Sequence, residues 1–223
     1  MNVRVTRFID GAREATGLAV IVDVFRAFTT AAFCVAAGAR EIVLVADHKQ
    51  ALALKRDDPS LFLTGEIGGR PIPGFDVGNS PSAIERLDLT GRRVVQRTSS
   101  GTQGVVAATA ARGILLGSFV IAQATVDHLR GIADEVTIVA MGHNAVAEAD
   151  EDVQCARYLE SLLRGERPTP PTVFLEGDHS SEGWPDHFPR RDAELACQID
   201  RFDFALPVAR EDGLLVARPM WSR

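Results

Sequence analysis

Acidic, basic and glycine residues stand at the ends of short apolar runs in this chain. Asp23 and Arg26 close the first long run, and Glu66 closes a later one, just before Gly68 and Gly69. Carboxylate oxygens suit Mg²⁺, and guanidinium groups bind phosphate through paired hydrogen bonds. Glycines let a backbone approach a ligand closely. These residue types predict a site for phosphoryl chemistry.

Further candidates follow other runs. The loop after a fourth run contributes polar side chains and a glycine turn, a glycine-rich loop contributes amide, hydroxyl and carboxylate groups, and an acidic helix contributes two carboxylates. These residues are Arg97, Ser99, Ser100, Gly101 and Thr102, then Asp76, Asn79 and Ser80, then Glu151 and Asp152. The loop at 98–102 lacks the lysine of a nucleotide-binding P-loop. Metal ligation is predicted for Asp23, Glu66, Asp76, Glu151 and Asp152.

Each candidate also has a plain structural interpretation. Asp23 could cap the turn that follows it, although a carboxylate beside a buried strand is costly unless it is paired or liganded. Arg26 could form a structural salt bridge with Asp23, and the loop at 98–102 could be an ordinary polar turn. A solvated face is expected for most of the acidic helix. A loop cluster of Asp178, His179, Asp186 and His187 has a spacing that fits no zinc motif.

The elements that must position these residues alternate between strands and helices. Apolar β-rich runs predict strands, and amphipathic or small-residue stretches predict helices. The predicted strands are 17–25, 41–46, 61–66, 92–98, 113–119 and 135–142, and the predicted helices include 29–37, 48–57, 122–132, 147–164 and 192–202. A C-terminal hairpin is expected at Asp212-Gly213. The pattern predicts an α/β fold with a mostly parallel sheet and flanking helices. In such sheets ligands bind beyond the carboxyl ends of the strands.

Composition excludes several classes of protein. The chain has 223 residues, is 46% hydrophobic and has a net charge of −6, which favours a globular domain over a nucleic-acid-binding protein. No stretch approaches the ~20 apolar residues of a membrane helix, and no signal peptide is visible. Three widely spaced cysteines indicate free thiols in a reducing cytoplasm.

A faint internal echo relates two parts of the chain. The segment from Val22 aligns with the segment from Arg93 at an offset of 71, so that Arg26 falls on Arg97. Each copy has a strand, an arginine, a hydroxyl-rich turn, a small-residue helix and a second strand. The chain length fits a single domain over 1–223 or two lobes at about 1–90 and 91–223, and a duplication would leave such an echo.

Six segments carry a resemblance to a known family. They are VDVFRAFTTA (22–31), the Gly-Glu of TGEIGG (64–69), PGFDVGNSP (73–81), TSSGT (98–102), GSF (117–119) and EDVQCARYL (151–159). In this order they resemble the 2-phosphosulfolactate phosphatase family, over about residues 16 to 210. The resemblance implies Mg²⁺-dependent hydrolysis of 2-phosphosulfolactate to sulfolactate and inorganic phosphate, a step towards coenzyme M. It also implies an α/β architecture of two similar lobes with the site between them.

The chain departs from the family pattern at two positions. The family usually has asparagine where this chain has Ser100 and Ile121. A serine hydroxyl retains part of the hydrogen-bonding capacity of an amide, whereas isoleucine retains none. If the family's asparagine touches substrate, the change at Ile121 affects substrate identity or activity.

The mechanism expected from these residues is a metal-assisted phosphoryl transfer. Asp23, Arg26 and Glu66 are the predicted catalytic residues. Arg97, Asn79, Ser80 and the 99–102 loop are expected to hold a small phosphorylated and sulfonated acid, helped by helix N-termini near Thr29 and Thr102. The attacking group is either a carboxylate or a water. The alternatives are a non-catalytic binder of small anions and a phosphatase for another acid phosphate; a homodimer is compatible with each.

Overall fold

The computed structural model describes residues 1–172 and 187–221. Its strands are β1 Asn2–Arg7, β2 Leu18–Val22, β3 Glu41–Leu44, β4 Phe62–Ile67, β5 Arg70–Pro71, β6 Val77–Gly78, β7 Arg93–Arg97, β8 Gly113–Gly117, β9 Glu135–Ala140, β10 Phe204–Glu211, β11 Leu214–Ala217 and β12 Met220–Trp221. Its α-helices are α1 Phe8–Arg13, α2 Ala27–Ala36, α3 His48–Asp57, α4 Pro81–Ile84, α5 Gly101–Ala107, α6 Ala122–Arg130, α7 Asp150–Leu163 and α8 Arg190–Ala196.

The sheet confirms the predicted α/β class. Ten strands follow the order β1-β9-β2-β8-β10-β11-β3-β7-β4-β5, while β12 pairs with β10 and β6 with β4. The strands β1, β9, β2 and β8 form one parallel block, and β3, β7 and β4 form another. The β10–β11 hairpin lies between the blocks and makes antiparallel contacts with β8 and β3. Because three antiparallel contacts separate the blocks, they run in opposite directions along the sheet.

The two segments that resemble each other in sequence exchange strands in the sheet. One unit folds as β2–α2–β3 and the other as β7–α5–β8. The first strand of each pairs with the second strand of the other, as β2 with β8 and β7 with β3. The lobe boundary near residue 90 stays a prediction, because this pairing joins strands from both sides of it. The exchange brings the loops after β2 and β7 together.

Burial explains why the central strands form. All five residues of β2 are buried, as expected of a parallel strand covered on both faces. Three hydrophobic clusters of the described residues fill the space between the sheet and its helices, and α2 is buried along nearly its whole length. In the described part of the chain, no helix is both long and apolar enough to cross a membrane.

Most predicted elements are confirmed, with two corrections at the chain ends. The helix α3 runs from residue 48 to 57 as predicted, and Asp47 caps it by accepting from Lys49 N at 2.9 Å. The N-terminal residues form β1 and α1, which the sequence analysis missed; β1 is an edge strand with a mixed burial pattern. The helix predicted over 192–202 ends at Ala196, and Asp200 has a left-handed φ of 54°. A left-handed residue cannot continue an α-helix.

The hairpin turn between β10 and β11 gives a stability prediction. Asp212 and Gly213 have φ values of 48° and 79°, the left-handed pair that a type I′ turn requires. No heavy atom lies within 4 Å of a Cβ built on Gly213, so only backbone strain opposes a side chain there. We expect G213A to lower the free energy of unfolding by about 1–2 kcal/mol. Thermal unfolding followed by circular dichroism measures this, and an unchanged midpoint would contradict the turn assignment.

Candidate active site

Asp23 lies directly after β2 and is held by the first turns of two helices. One carboxylate oxygen accepts from Ala27 N at 3.0 Å, and the other accepts from Gly101 N at 2.7 Å. These amides begin α2 and α5, where free N–H groups favour an anion. From the sequence we expect the helix N-termini near Thr29 and Thr102 to receive the substrate. Instead, these two amides hold a carboxylate of the protein itself.

Two further carboxylates are fixed in the same way. Asp152, in the first turn of α7, accepts from Val24 N at 2.7 Å and from Gly142 N at 2.8 Å. Glu66, near the end of β4, accepts from Gly69 N at 2.6 Å and from the backbone N–H and hydroxyl of Ser99. Each carboxylate therefore receives two backbone amides. The hydrogen bonds tie together the loops after β2, β4, β7 and β9, where the sequence placed its candidates.

Burial, and then the charges of neighbouring carboxylates, raise the pKa of Asp23, Glu151 and Asp152. Burial, followed by the negative charge of Glu66, raises the pKa of Asp23 to about 6. Burial and then the charge of Asp23 raise the pKa of Glu151 to about 7. Burial and the charges of Asp23 and Glu151 raise the pKa of Asp152 well above its usual value. Among the ion pairs of the described residues, none includes these four carboxylates. Within the described residues these carboxyl groups therefore have no direct counterion, and burial favours their neutral forms.

Arg26 faces the same region but is already paired. Its Nη1 donates to Asp192 Oδ2 at 2.8 Å and to the carbonyl of His187 at 2.9 Å, and its Nη2 donates to the carbonyl of Gly69 at 3.3 Å. The guanidinium carbon lies 4.3 Å from the ring centre of Phe188. The ion pair that the sequence analysis considered with Asp23 is therefore made with Asp192.

Arg97 braces the ends of neighbouring strands. Its Nε donates to the carbonyl of Ala46 at 3.0 Å, and its Nη1 donates to the carbonyl of Glu66 at 2.7 Å. These contacts join the carboxyl ends of β3, β4 and β7. Backbone carbonyls therefore take up part of the hydrogen-bonding capacity that the sequence analysis assigned to a substrate anion.

The hydroxyl candidates mostly support the loops. Ser100 Oγ donates to the carbonyl of Gly142 at 2.7 Å and accepts from Ala145 N at 2.8 Å. Thr102 Oγ1 donates to the carbonyl of Thr98 at 2.9 Å and accepts from its amide. In these contacts both side chains act as structural groups of the α5 turn.

The glycine-rich loop contains one capping residue and one unpaired acceptor. Ser80 caps α4 by accepting from Ala83 N, as the sequence predicted, and its hydroxyl donates to Asp192 at 2.8 Å. Asn79 Oδ1 is buried without a hydrogen-bond donor among the described residues. A buried amide oxygen in this state is open to a donor from a ligand or a water molecule.

The observed contacts do not connect the other predicted ligands to the carboxylates of Asp23, Glu66 and Asp152. Asp76 forms an ion pair with Lys55 and accepts from Leu63 N at 2.7 Å, so its metal role stays a prediction. Of the loop cluster whose spacing fits no zinc motif, Asp178, His179 and Asp186 lie outside the described residues. Within residues 1–172 and 187–221, no three His, Cys, Asp or Glu side chains stand close enough to form a ready metal-ligand set.

Asp192 has a role that the sequence does not indicate. It appeared only as a residue of a predicted helix, but its side chain is completely buried and contacts Arg26 and Ser80. No local pattern indicates these contacts, because the two partners lie 166 and 112 residues away. A weak signal was available, since an aspartate on the buried face of a helix normally requires a partner.

A groove of about 680 Å³ opens beside Ser99. Gln103 and Ala107 of α5, Ile9 of α1 and Asn144 also line it. The Ser99 hydroxyl donates to Glu66 at 3.0 Å, so the groove reaches the shell of hydrogen bonds around one of the fixed carboxylates.

Gly101 provides a test of the packing around Asp23. A Cβ at this position would stand 2.8 Å from Ala27 Cβ and 2.9 Å from both Asp23 Oδ2 and Phe28 Cζ. We expect G101A to lower the free energy of unfolding by about 1–3 kcal/mol through overpacking. G131A is the control, because its nearest atom would be 4.0 Å away. Equal unfolding midpoints for the two variants would contradict the close approach of α5 to Asp23.

Comparison with known proteins gives one consistent family. Residues 6–177 match the sequence model described as 2-phosphosulpholactate phosphatase. Three curated relatives are each called probable 2-phosphosulfolactate phosphatase. The Bacillus subtilis protein is 33% identical over 148 residues, 66% of this chain and 64% of its own. The Caldicellulosiruptor saccharolyticus protein is 37% identical over 163 residues, 71% of this chain and 66% of its own. The Thermoplasma volcanium protein is 29% identical over 199 residues, 88% and 92% of the two chains. The matched stretch thus spans slightly less than two thirds of the first two relatives' lengths.

Proposed function

This chain belongs to the 2-phosphosulpholactate phosphatase family, and from that membership we propose that it hydrolyses 2-phosphosulfolactate, or a closely related small acid phosphate, to the free hydroxy acid and inorganic phosphate. In this reaction the ester P–O bond breaks, a water oxygen ends on phosphorus, and the leaving oxygen gains a proton. The observation that carries the proposal is the set of three carboxylates, Asp23, Glu66 and Asp152, each fixed by two backbone amides.

The oxygen donors of this site suit a hard divalent cation in their chemistry, although no three carboxylates of the described residues stand close enough to form a ready ligand set. Carboxylate oxygens are hard ligands, and burial, followed by the charges of neighbouring carboxylates, raises the pKa of Asp23, Glu151 and Asp152. We propose that Asp23 and Glu66, with Glu151 or Asp152, hold Mg²⁺. The bound ion would neutralise charge on the transferring phosphoryl group. The backbone hydrogen bonds keep the carboxylates at fixed positions, so that less reorganisation is needed when the ester binds.

The two departures from the family pattern fall on structural positions. Ser100 uses its hydroxyl to join the α5 turn to the loop after β9. Ile121 is completely buried within a hydrophobic cluster. This placement supports keeping a small phosphorylated and sulfonated acid as the proposed substrate. The burial of Ile121 also favours packing, and not substrate contact, as the reason for an isoleucine at this position.

Phosphate release from a panel of esters tests the proposal. The purified chain is incubated with 2-phosphosulfolactate and with other small acid phosphates, in Mg²⁺ and in chelator. We expect metal-dependent turnover that is highest with 2-phosphosulfolactate. Turnover that favours another ester would reassign the substrate, and binding without turnover would identify an anion-binding protein.

The setting of the reaction is also part of the proposal. All three cysteines, Cys34, Cys155 and Cys197, are free thiols, which supports a reducing cytoplasm. In that compartment the product would feed a route towards coenzyme M. A homodimer stays a prediction.

A further inference from the structure

Asp192 links α8 to the candidate site through both of its carboxylate oxygens. Oδ2 accepts from Arg26 Nη1 at 2.8 Å. Oδ1 accepts from the Ser80 hydroxyl at 2.8 Å and from Ser82 N at 3.0 Å. Neither Asp192, with 0% exposure, nor Arg26, with 5%, is in appreciable contact with solvent. The ion pair therefore has the geometry and burial that hold a guanidinium group in one orientation.

The remaining contacts define that orientation. Arg26 donates to the carbonyls of His187 and Gly69, and its guanidinium carbon lies 4.3 Å from the centre of the Phe188 ring. Contacts with described residues use three of the five guanidinium N–H groups, so two have no acceptor among those residues. The Gly69 carbonyl that receives Arg26 belongs to the residue whose N–H donates to Glu66. The guanidinium group and the Glu66 carboxylate thus hold opposite sides of one glycine turn.

From these contacts we infer that Asp192 is a positioning residue, which orients the two remaining Arg26 donors towards the phosphate of an anionic ester. The inference rests on the proposed function. Asp192 lies outside the family match at 6–177, so the match does not cover this contribution of α8. Because Asp192 neutralises the charge of Arg26, the arginine acts through directed hydrogen bonds more than through net charge. Losing the orientation should then weaken anion binding even though the positive charge remains.

The main experiment compares D192N with the wild-type full chain. The asparagine can still accept from Ser80 and Ser82 but no longer offers Arg26 a carboxylate. We expect KM for the ester and Kd for inorganic phosphate each to rise about tenfold, with kcat within about twofold, the pattern of lost ground-state binding. Titration calorimetry measures the phosphate affinity. A lower apparent kcat with unchanged KM and Kd would indicate partial unfolding and overturn the inference.

E41Q is the matched control. Glu41 is also a buried acidic partner of arginines, with Arg218 Nη2 and Arg93 Nε at 2.7 Å, but it lies at the amino end of β3. We expect E41Q to lower the unfolding midpoint without changing KM or Kd. An equal rise of KM in E41Q would show that any loss of a buried ion pair has this effect, which would overturn the inference.

A second variant covers the case in which D192N does not fold. S80A removes one of the two donors that fix Asp192 Oδ1 and leaves the ion pair in place. We expect a smaller rise of KM and of the phosphate Kd, and unchanged values would overturn the inference.

Phosphate binding also separates the positioning role of Asp192 from the proposed phosphatase activity. A chain that releases no phosphate from any ester but binds phosphate in an Asp192-dependent way refutes the phosphatase and supports the positioning role. Absence of phosphate binding by an active wild-type enzyme refutes the positioning role.

Discussion

Replacing Asp23 with asparagine is expected to abolish phosphate release and to leave the fold intact. Asparagine has nearly the same shape and can still accept one of the two hydrogen bonds from Ala27 N and Gly101 N. It lacks the negative charge that a cation ligand or an attacking carboxylate requires. We expect kcat to fall by about 10²–10⁴-fold or more, because a positioned acid or base typically contributes that much to the rate. One buried N–H loses its acceptor in D23N, which costs about 1–3 kcal/mol, and this loss is offset in part because burial disfavours the charged form of Asp23.

Three measurements check this prediction. Initial rates of phosphate release give kcat, circular dichroism gives the unfolding midpoint, and calorimetric titration gives the affinity for Mg²⁺. E41Q again serves as the control, because it neutralises a buried carboxylate at the amino end of β3. Near-normal turnover by D23N would refute the assignment of Asp23. A loss of turnover in E41Q equal to that in D23N would show that the effect is not specific to the site.

The buried ion pair between Arg26 and Asp192 gives the second large effect, on stability. Removing one partner leaves the other charge buried without its counterion, which costs about 3–5 kcal/mol. We therefore expect R26M and D192N each to lower the free energy of unfolding by about that amount. The double variant R26M/D192N has no unpaired charge and should be more stable than the sum of the single losses predicts, by about 1–3 kcal/mol.

Urea unfolding of the four proteins closes the thermodynamic cycle. A parallel cycle on Arg7 and Glu148 serves as the exposed control, because these side chains are 42% and 49% exposed. Exposed pairs contribute about 0–1 kcal/mol, so this cycle should give a small coupling energy. Additive losses at Arg26 and Asp192 would show that the pair contributes no more than an exposed one. That result would also remove the basis for the positioning role of Asp192.

The sequence predicted those parts of the fold that depend on local patterns. The apolar run that contains β2 required burial on both faces, and the structure buries every residue of that strand. Ser80 followed by Pro81 predicted a helix start, and Ser80 caps α4. Asp212-Gly213 predicted a hairpin turn, and both residues have positive φ. In each case the residues that determine the conformation are neighbours along the chain.

The strand exchange could not be read from the sequence. The echo between the segments at Arg26 and Arg97 indicated two similar units, but two lobes and two exchanged units share the same local patterns. Pairing of β2 with β8 and of β3 with β7 depends on contacts between residues far apart in the chain. The β10–β11 hairpin, the last long pair of strands, separates the two blocks.

By itself, the sequence determined which residue types are available and which strand ends carry them, since both follow from composition and periodicity. Only the tertiary structure decided their partners. In the structure the first amides of α2 and α5 donate to Asp23 and are not free for a ligand. Arg26 pairs with Asp192, which lies 166 residues away in the chain. The physical reason is that a buried charge takes whichever partner the packing of distant elements brings within hydrogen-bonding distance. The local sequence does not determine which residues from distant parts of the chain will lie close together in space.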